Sequence, residues 1–133
     1  MRRQLISLIS LLGVTALAEA QDAIPAKILA EIKNATVFVK VAAGDKSATG
    51  SGFVMRVDGD TSYVVTNHPV VVLPRSNEPS VTLVFHSGTK NEQSVKADVL
   101  ASDPNKDLAV LRAKGVNEPT AIDLSKKPEV TKL

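Results

Sequence analysis

The chain has 133 residues, enough for one modest domain with its own core and too few for two ordinary ones. Hydrophobic residues make up 44% of it and aromatics only 3%, so Val, Leu, Ile and Ala must fill the core, and β-branched side chains favour strands. A formal charge of +2, spread without a basic run or interleaved aromatics, gives no support to a nucleic-acid-binding class.

At the N-terminus, Arg2 and Arg3 precede an apolar stretch from residue 5 to 17, and Ala18-Glu19-Ala20 fits the small-x-small cleavage rule. The pattern predicts a secretory signal peptide over residues 1–20. The alternative, an uncleaved anchor, meets a run of about thirteen apolar residues, short of the roughly 20 that span a bilayer. Cleavage after Ala20 removes Arg2, Arg3 and Glu19, leaving 14 basic against 13 acidic residues and no stable membrane span. The chain has no cysteine, so an exported domain must stand on its hydrophobic core alone, as is commoner in bacterial envelope proteins than in small eukaryotic secreted domains. The expected destination is export, periplasmic or extracellular.

Residues 21–34 contain Ile24, Ile28, Leu29 and Ile32 at helical spacing, with Pro25 near the start, and predict a short amphipathic helix that stops at Asn34. Val37, Val39 and Val41 then share one face of a strand. A turn at residues 44–47 leads to a second strand entered through Gly50 and Gly52, glycines that imply a bulge or a close backbone approach. Asp58-Gly59-Asp60 reads as a hairpin turn into a third strand at residues 63–66. Residues 70–73 fit either a helical turn or more strand, and residues 74–79 a loop. Alternation at residues 81–85 and 94–101 supplies two more strands, and the apolar run at 108–111 closes the series as a sixth. Six strands without alternating helices imply an all-β antiparallel barrel or sandwich over residues 35–114, followed by a polar segment at 115–133.

Two stretches carry chemistry. Tyr63-Val64-Val65-Thr66-Asn67-His68-Pro69-Val70-Val71 delivers a histidine from a strand end, and Asp103-Pro104-Asn105-Lys106-Asp107-Leu108-Ala109-Val110-Leu111 delivers aspartates. Histidine and aspartate are two of the three parts of a nucleophilic hydrolase triad. With Gly50-Ser51-Gly52-Phe53 before them, these stretches resemble, in order and spacing, the first half of a trypsin-like serine peptidase of the HtrA/Deg branch. The resemblance implies a six-stranded antiparallel β-barrel as the first of two. The first supplies the histidine base and the aspartate; the second supplies the serine and the oxyanion hole. It implies extended or unfolded polypeptide as partner and neither cofactor nor metal, and leaves oligomeric state open. The sequence stops before such a second barrel begins, so the expectation is a truncated, inactive serine endopeptidase. A non-catalytic pseudopeptidase or peptide-binding barrel is the alternative reading, and an unrelated small β-barrel a third.

The resemblance also exposes a departure. The branch reads Thr-Asn-x-His-Val-Val; here Thr66 and Asn67 are followed by His68, then Pro69 at the base position, then Val70 and Val71 without a gap. A prolyl ring has no proton acceptor. His68 becomes the base only if the register slides by one, which turns a side chain to another face. Asp107 matches the orienting aspartate, or else caps the turn before the last strand. Asp103 reads as a turn residue before Pro104. Neither Ser51 nor Ser125 has the nucleophile setting, so no nucleophile is assigned and Ser51 reads as a structural strand residue. His86 is expected to be exposed and is no metal site by itself. Asn34-Ala35-Thr36 is a glycosylation sequon by pattern only.

Overall fold

In a computed structural model of the chain, residues 24–72 and 79–125 are described. The expected signal peptide and most of the loop at 74–79 lie outside them. Val37, Val39 and Val41 all point into the core from β1 (Thr36–Ala43), as their alternation predicts. The next strands are β2 (Lys46–Asp58), β3 (Thr61–Thr66), β4 (Ser80–Phe85), β5 (Gln93–Asp103) and β6 (Leu108–Lys114). All neighbours pair antiparallel in the order β1-β2-β3-β6-β5-β4, and β4 returns to β1 to close a barrel. Hairpins join β1 to β2 and β2 to β3, while β4 returns beside β1; that order, 4-1-2-3, is a Greek key. Closure leaves no sheet edge.

The barrel is filled by Val54, Val64, Val81, Leu83, Phe85, Ala109, Leu111 and Ala113 together with the three valines of β1. Phe85 is the one aromatic ring among them, so packing rests on β-branched and small side chains, as the composition requires. The six expected strands are all present. β2 starts at Lys46, inside the expected 44–47 turn, because Gly44, at φ +62°, lets the chain turn over two residues, Gly44-Asp45, rather than four.

The two strand glycines mark close approaches. A Cβ on Gly52 would sit 2.6 Å from the Val65 carbonyl oxygen, and one on Gly50 would sit 2.6 Å from Val70 Cγ2. The irregularity in β2 falls later, between Val54 and Arg56. Beside it, Asp58 holds the Arg56 guanidinium at 2.7 Å and raises its pKa, chiefly through that hydrogen bond.

The N-terminal helix, α1 (Ala26–Ala35), passes the expected stop at Asn34 and buries Ala35 against the barrel. Its apolar stripe stays open: Ile28, Leu29 and Ile32 are 40–45% exposed, and Ile24, just before the helix, is 58% exposed. Beyond β6, residues 115–125 lie along the barrel. The Ile122 N–H donates to Val54 O at 2.9 Å, and Gln93 bridges Gly115 and Asn117. Among the described residues no helix is long and apolar enough to cross a membrane.

Candidate functional site

The end of β3 and the start of β6 are adjacent strands, so the barrel brings the histidine-bearing and aspartate-bearing stretches to one rim. After Thr66 the chain leaves β3 through Asn67, which is extended at φ −78°, ψ 144°, and enters a single helical turn, α2 (His68–Val71), with Pro69 in its first positions. Of the two readings for residues 70–73, the helical one holds for Val70 and Val71, Val72 is extended, and Leu73 lies outside the described residues. Val71 is buried in the barrel core and Val70 packs beside it, so the turn is held by its apolar end while Asn67 and Pro69 stay exposed. The Val70 N–H donates to Asn67 O at 3.2 Å and closes the turn.

Asp107 occupies the last position of the 104–107 turn with φ +56°, a left-handed conformation that aspartate tolerates better than most side chains. Asp103 sets this turn up. Its carboxylate accepts from the N–H groups of Asn105 at 2.9 Å and Lys106 at 3.2 Å, the turn role expected of it. Asp107 then meets the β3 end twice. Its carbonyl accepts the His68 N–H at 3.3 Å, and its carboxylate accepts from the Asn67 carboxamide at 3.2 Å.

The His68 ring does not turn to that carboxylate. Its Nδ1 lies 2.5 Å from Ser102 Oγ, near the end of β5. The structure therefore brings His68 and Asp107 together through backbone but not as an imidazole and its orienting carboxylate. Pro69 is exposed and offers no proton acceptor. Sequence reasoning gives Asn67 and Ser102 no role. Asn67 is visible inside the Thr-Asn-His run, yet its contact spans forty residues and no local pattern announces it.

A cleft of about 470 Å³, mostly apolar, opens beside Asn67 between Gly52, Phe53, Val65, Leu108 and Ile122. Ser51 lies on its wall as a strand residue, its carbonyl accepting from Thr66 Oγ1 at 2.8 Å. His86 corrects the expectation of free exposure. It is half-buried at φ +52°, with Nε2 3.3 Å from Asn117 O, because the 115–125 segment folds back over it. Among the described residues no three acidic, histidine or cysteine side chains converge as metal ligands.

A model of the trypsin-like peptidase domain family matches residues 50–132, more than half of the chain. Solved structures share the fold. A serine endoprotease from Yersinia pestis aligns at 24% identity and TM-score 0.58 over 77% of this chain. A protease from M. tuberculosis in its active form aligns at 26% and 0.56 over 74%, and the HtrA-type protease AlgW with a tripeptide at 22% and 0.55 over 72%. The chain spans 34%, 39% and 28% of those proteins' own lengths. With its closed six-stranded barrel and the glycine, Thr66-Asn67 and Asp107 stretches in the expected order, the chain belongs to the trypsin-like peptidase domain family.

Proposed function

We propose that this chain is the first barrel of an exported, HtrA-like serine endopeptidase fold in which peptide hydrolysis has been disabled and the grip on extended polypeptide kept. The observation that carries this reading is Pro69. It stands where the branch places its base, and the Asp107 carboxylate that would orient an imidazole is taken by the Asn67 amide at 3.2 Å. Without a base, a serine hydroxyl supplied by any other part of the protein has no group at this position to receive its proton.

What supports retained binding is the apolar cleft between Phe53, Leu108 and Ile122, which lies beside the Asn67 and Asp107 pair and is wide enough for an apolar side chain. The HtrA-type neighbour solved with a tripeptide points to the same ligand class. Export follows from the signal-peptide pattern over residues 1–20.

The test has two arms on one preparation. Fluorescent casein should release no peptide above buffer, while a carboxymethylated, unfolded protein should bind, as read by fluorescence anisotropy, and an apolar-to-charged change at Leu108 should weaken that binding. Casein cleavage that survives repurification and is blocked by a serine-reactive inhibitor would overturn the loss of hydrolysis. Absence of any binding would overturn the grip.

A further inference from the structure

His68 and Ser102 form a pair that the trypsin-like reading does not use. Ser102 is exposed near the end of β5, where its backbone is fixed opposite Ala109 in the β5–β6 ladder. His68 is half-buried at the start of α2, with its N–H held by the Asp107 carbonyl. Thirty-four residues apart in the chain, the two side chains meet at 2.5 Å between Oγ and Nδ1. In the tautomer that carries its proton on Nε2, the imidazole accepts the Ser102 hydroxyl proton. A hydroxyl donating to a neutral imidazole is the first requirement of an activated serine, and both backbones here are anchored independently of that contact.

The surroundings supply room. Ser102 lies on the walls of two clefts. One, of about 190 Å³, is framed by Ala101, Leu108, Ala109 and Val110, with Lys106 at its edge. The other, of about 470 Å³, runs between Val72, Pro79 and Val99.

We propose that Ser102 is a nucleophile activated by His68, able to take an acyl or phosphonyl group from an activated ester or fluorophosphonate. Ser102 Oγ attacks the carbonyl carbon as its proton passes to His68 Nδ1. The carbon–oxygen bond to the phenol breaks and the phenolate leaves, taking up the proton from His68; with a fluorophosphonate the phosphorus–fluorine bond breaks and fluoride leaves. Water then hydrolyses the acyl-serine to the carboxylic acid and the free hydroxyl. Base assistance of this kind contributes on the order of 10²–10⁴-fold. Among the described residues no carboxylate contacts the His68 ring, so the pair acts on phenyl esters, whose leaving groups need no protonation, and not on peptide amides. This chemistry is independent of what Pro69 does to peptide hydrolysis.

The experiment treats the purified protein with a biotinylated fluorophosphonate and maps the adduct by peptide mass spectrometry. One adduct is expected, on Ser102, with the other serines of the chain as internal controls. Ser102→Ala should abolish labelling, and His68→Gln, which keeps a polar group but no base, should slow it by on the order of 100-fold. No adduct, an adduct on another serine, or an undiminished rate in His68→Gln would each overturn the proposal. A second readout covers a misfolded variant. The chain has no cysteine, so Ser102→Cys introduces the sole thiol. Its alkylation by iodoacetamide should be on the order of tenfold faster with His68 present than in the Ser102→Cys/His68→Gln double variant, whose melting curve verifies folding. Equal alkylation rates in two folded proteins would also overturn it.

Discussion

The Asn67 carboxamide donates to the Asp107 carboxylate at 3.2 Å, joining the exit of β3 to the entry of β6 two residues before Pro69. The contact shows what the Asp107 carboxylate does in this chain. A carboxylate at a barrel rim, with no imidazole to orient, remains a joint between two strand ends, and its left-handed backbone makes it a specific one. Barrel closure fixes the rim, so the joint holds beside an exposed proline at residue 69.

Substitutions at Asp107 should separate its backbone role from its side-chain role. Asparagine tolerates φ +56° and can still accept from Asn67, so Asp107→Asn should stay within about 0.5 kcal/mol of the parent. Asp107→Val combines a left-handed β-branched residue, about 1–2 kcal/mol, with a lost hydrogen bond of about 1 kcal/mol. Urea unfolding midpoints measure the difference, and equal midpoints would mean that the turn does not constrain this residue.

Pro69→His should place an imidazole near the Asp107 carboxylate, which favours the charged form and raises its pKa above the ordinary 6.5 or so. A raised folded-state pKa contributes stability that is fully present below the unfolded value and is lost as pH rises through the folded one. Compared with Pro69→His/Asp107→Asn, the single variant should therefore be more stable at pH 5 than the difference at pH 9 allows, by about 1.4 kcal/mol for each tenfold gain in the imidazole's proton affinity. An NMR titration of the introduced imidazole that is the same with and without the carboxylate would show that residue 69 does not face Asp107.

Much of the fold was legible in the sequence because the signals were local and periodic. Val37, Val39 and Val41 alternate, Asp58-Gly59-Asp60 turns a hairpin, and Asp103 precedes a proline, so each element announced itself within a few residues. Whether residues 70–73 form a helical turn or more strand was ambiguous because four residues carry no period; the backbone turns helically through Val71 and is extended at Val72. The contacts Asn67 to Asp107 and His68 to Ser102 were not legible, since they depend on how closure of the barrel registers β3, β5 and β6. The exposed stripe on α1 was half legible: the spacing predicts the helix, but nothing in it says that only Ala35 is buried.

Gly52 and Gly50 should respond differently to alanine. At Gly52 the new methyl meets the Val65 carbonyl oxygen at 2.6 Å and Val64 Cγ1 at 2.9 Å, backbone and core that cannot yield without disturbing β3. Gly52→Ala should cost at least the about 1–3 kcal/mol typical of overpacking. At Gly50 the obstacle is the Val70 side chain on α2, which can shift with its short helix, so the cost should be smaller. Gly50→Ala should instead displace α2 and slow fluorophosphonate labelling of Ser102. Thermal melts and the labelling rate check both halves, and a larger melting loss for Gly50→Ala would contradict the assignment of close backbone approach to Gly52.

Two hydroxyls inside β3 should have effects of opposite sign. Ser62 is fully buried opposite Ala113, and its hydroxyl has no hydrogen-bond partner among the described residues, so it carries a desolvation penalty without return. Ser62→Ala should leave stability unchanged or raise it by up to about 1 kcal/mol, since removing an unsatisfied group costs only a small amount of packing. Thr66, four residues on and also buried, donates to Ser51 O at 2.8 Å. Thr66→Val keeps the shape and loses the bond, which should cost about 0.5–1.5 kcal/mol. Chemical denaturation of the two variants side by side provides the comparison. If Ser62→Ala proves as destabilising as Thr66→Val, the Ser62 hydroxyl has a partner, with a buried water held by at least one further polar group as the first place to look.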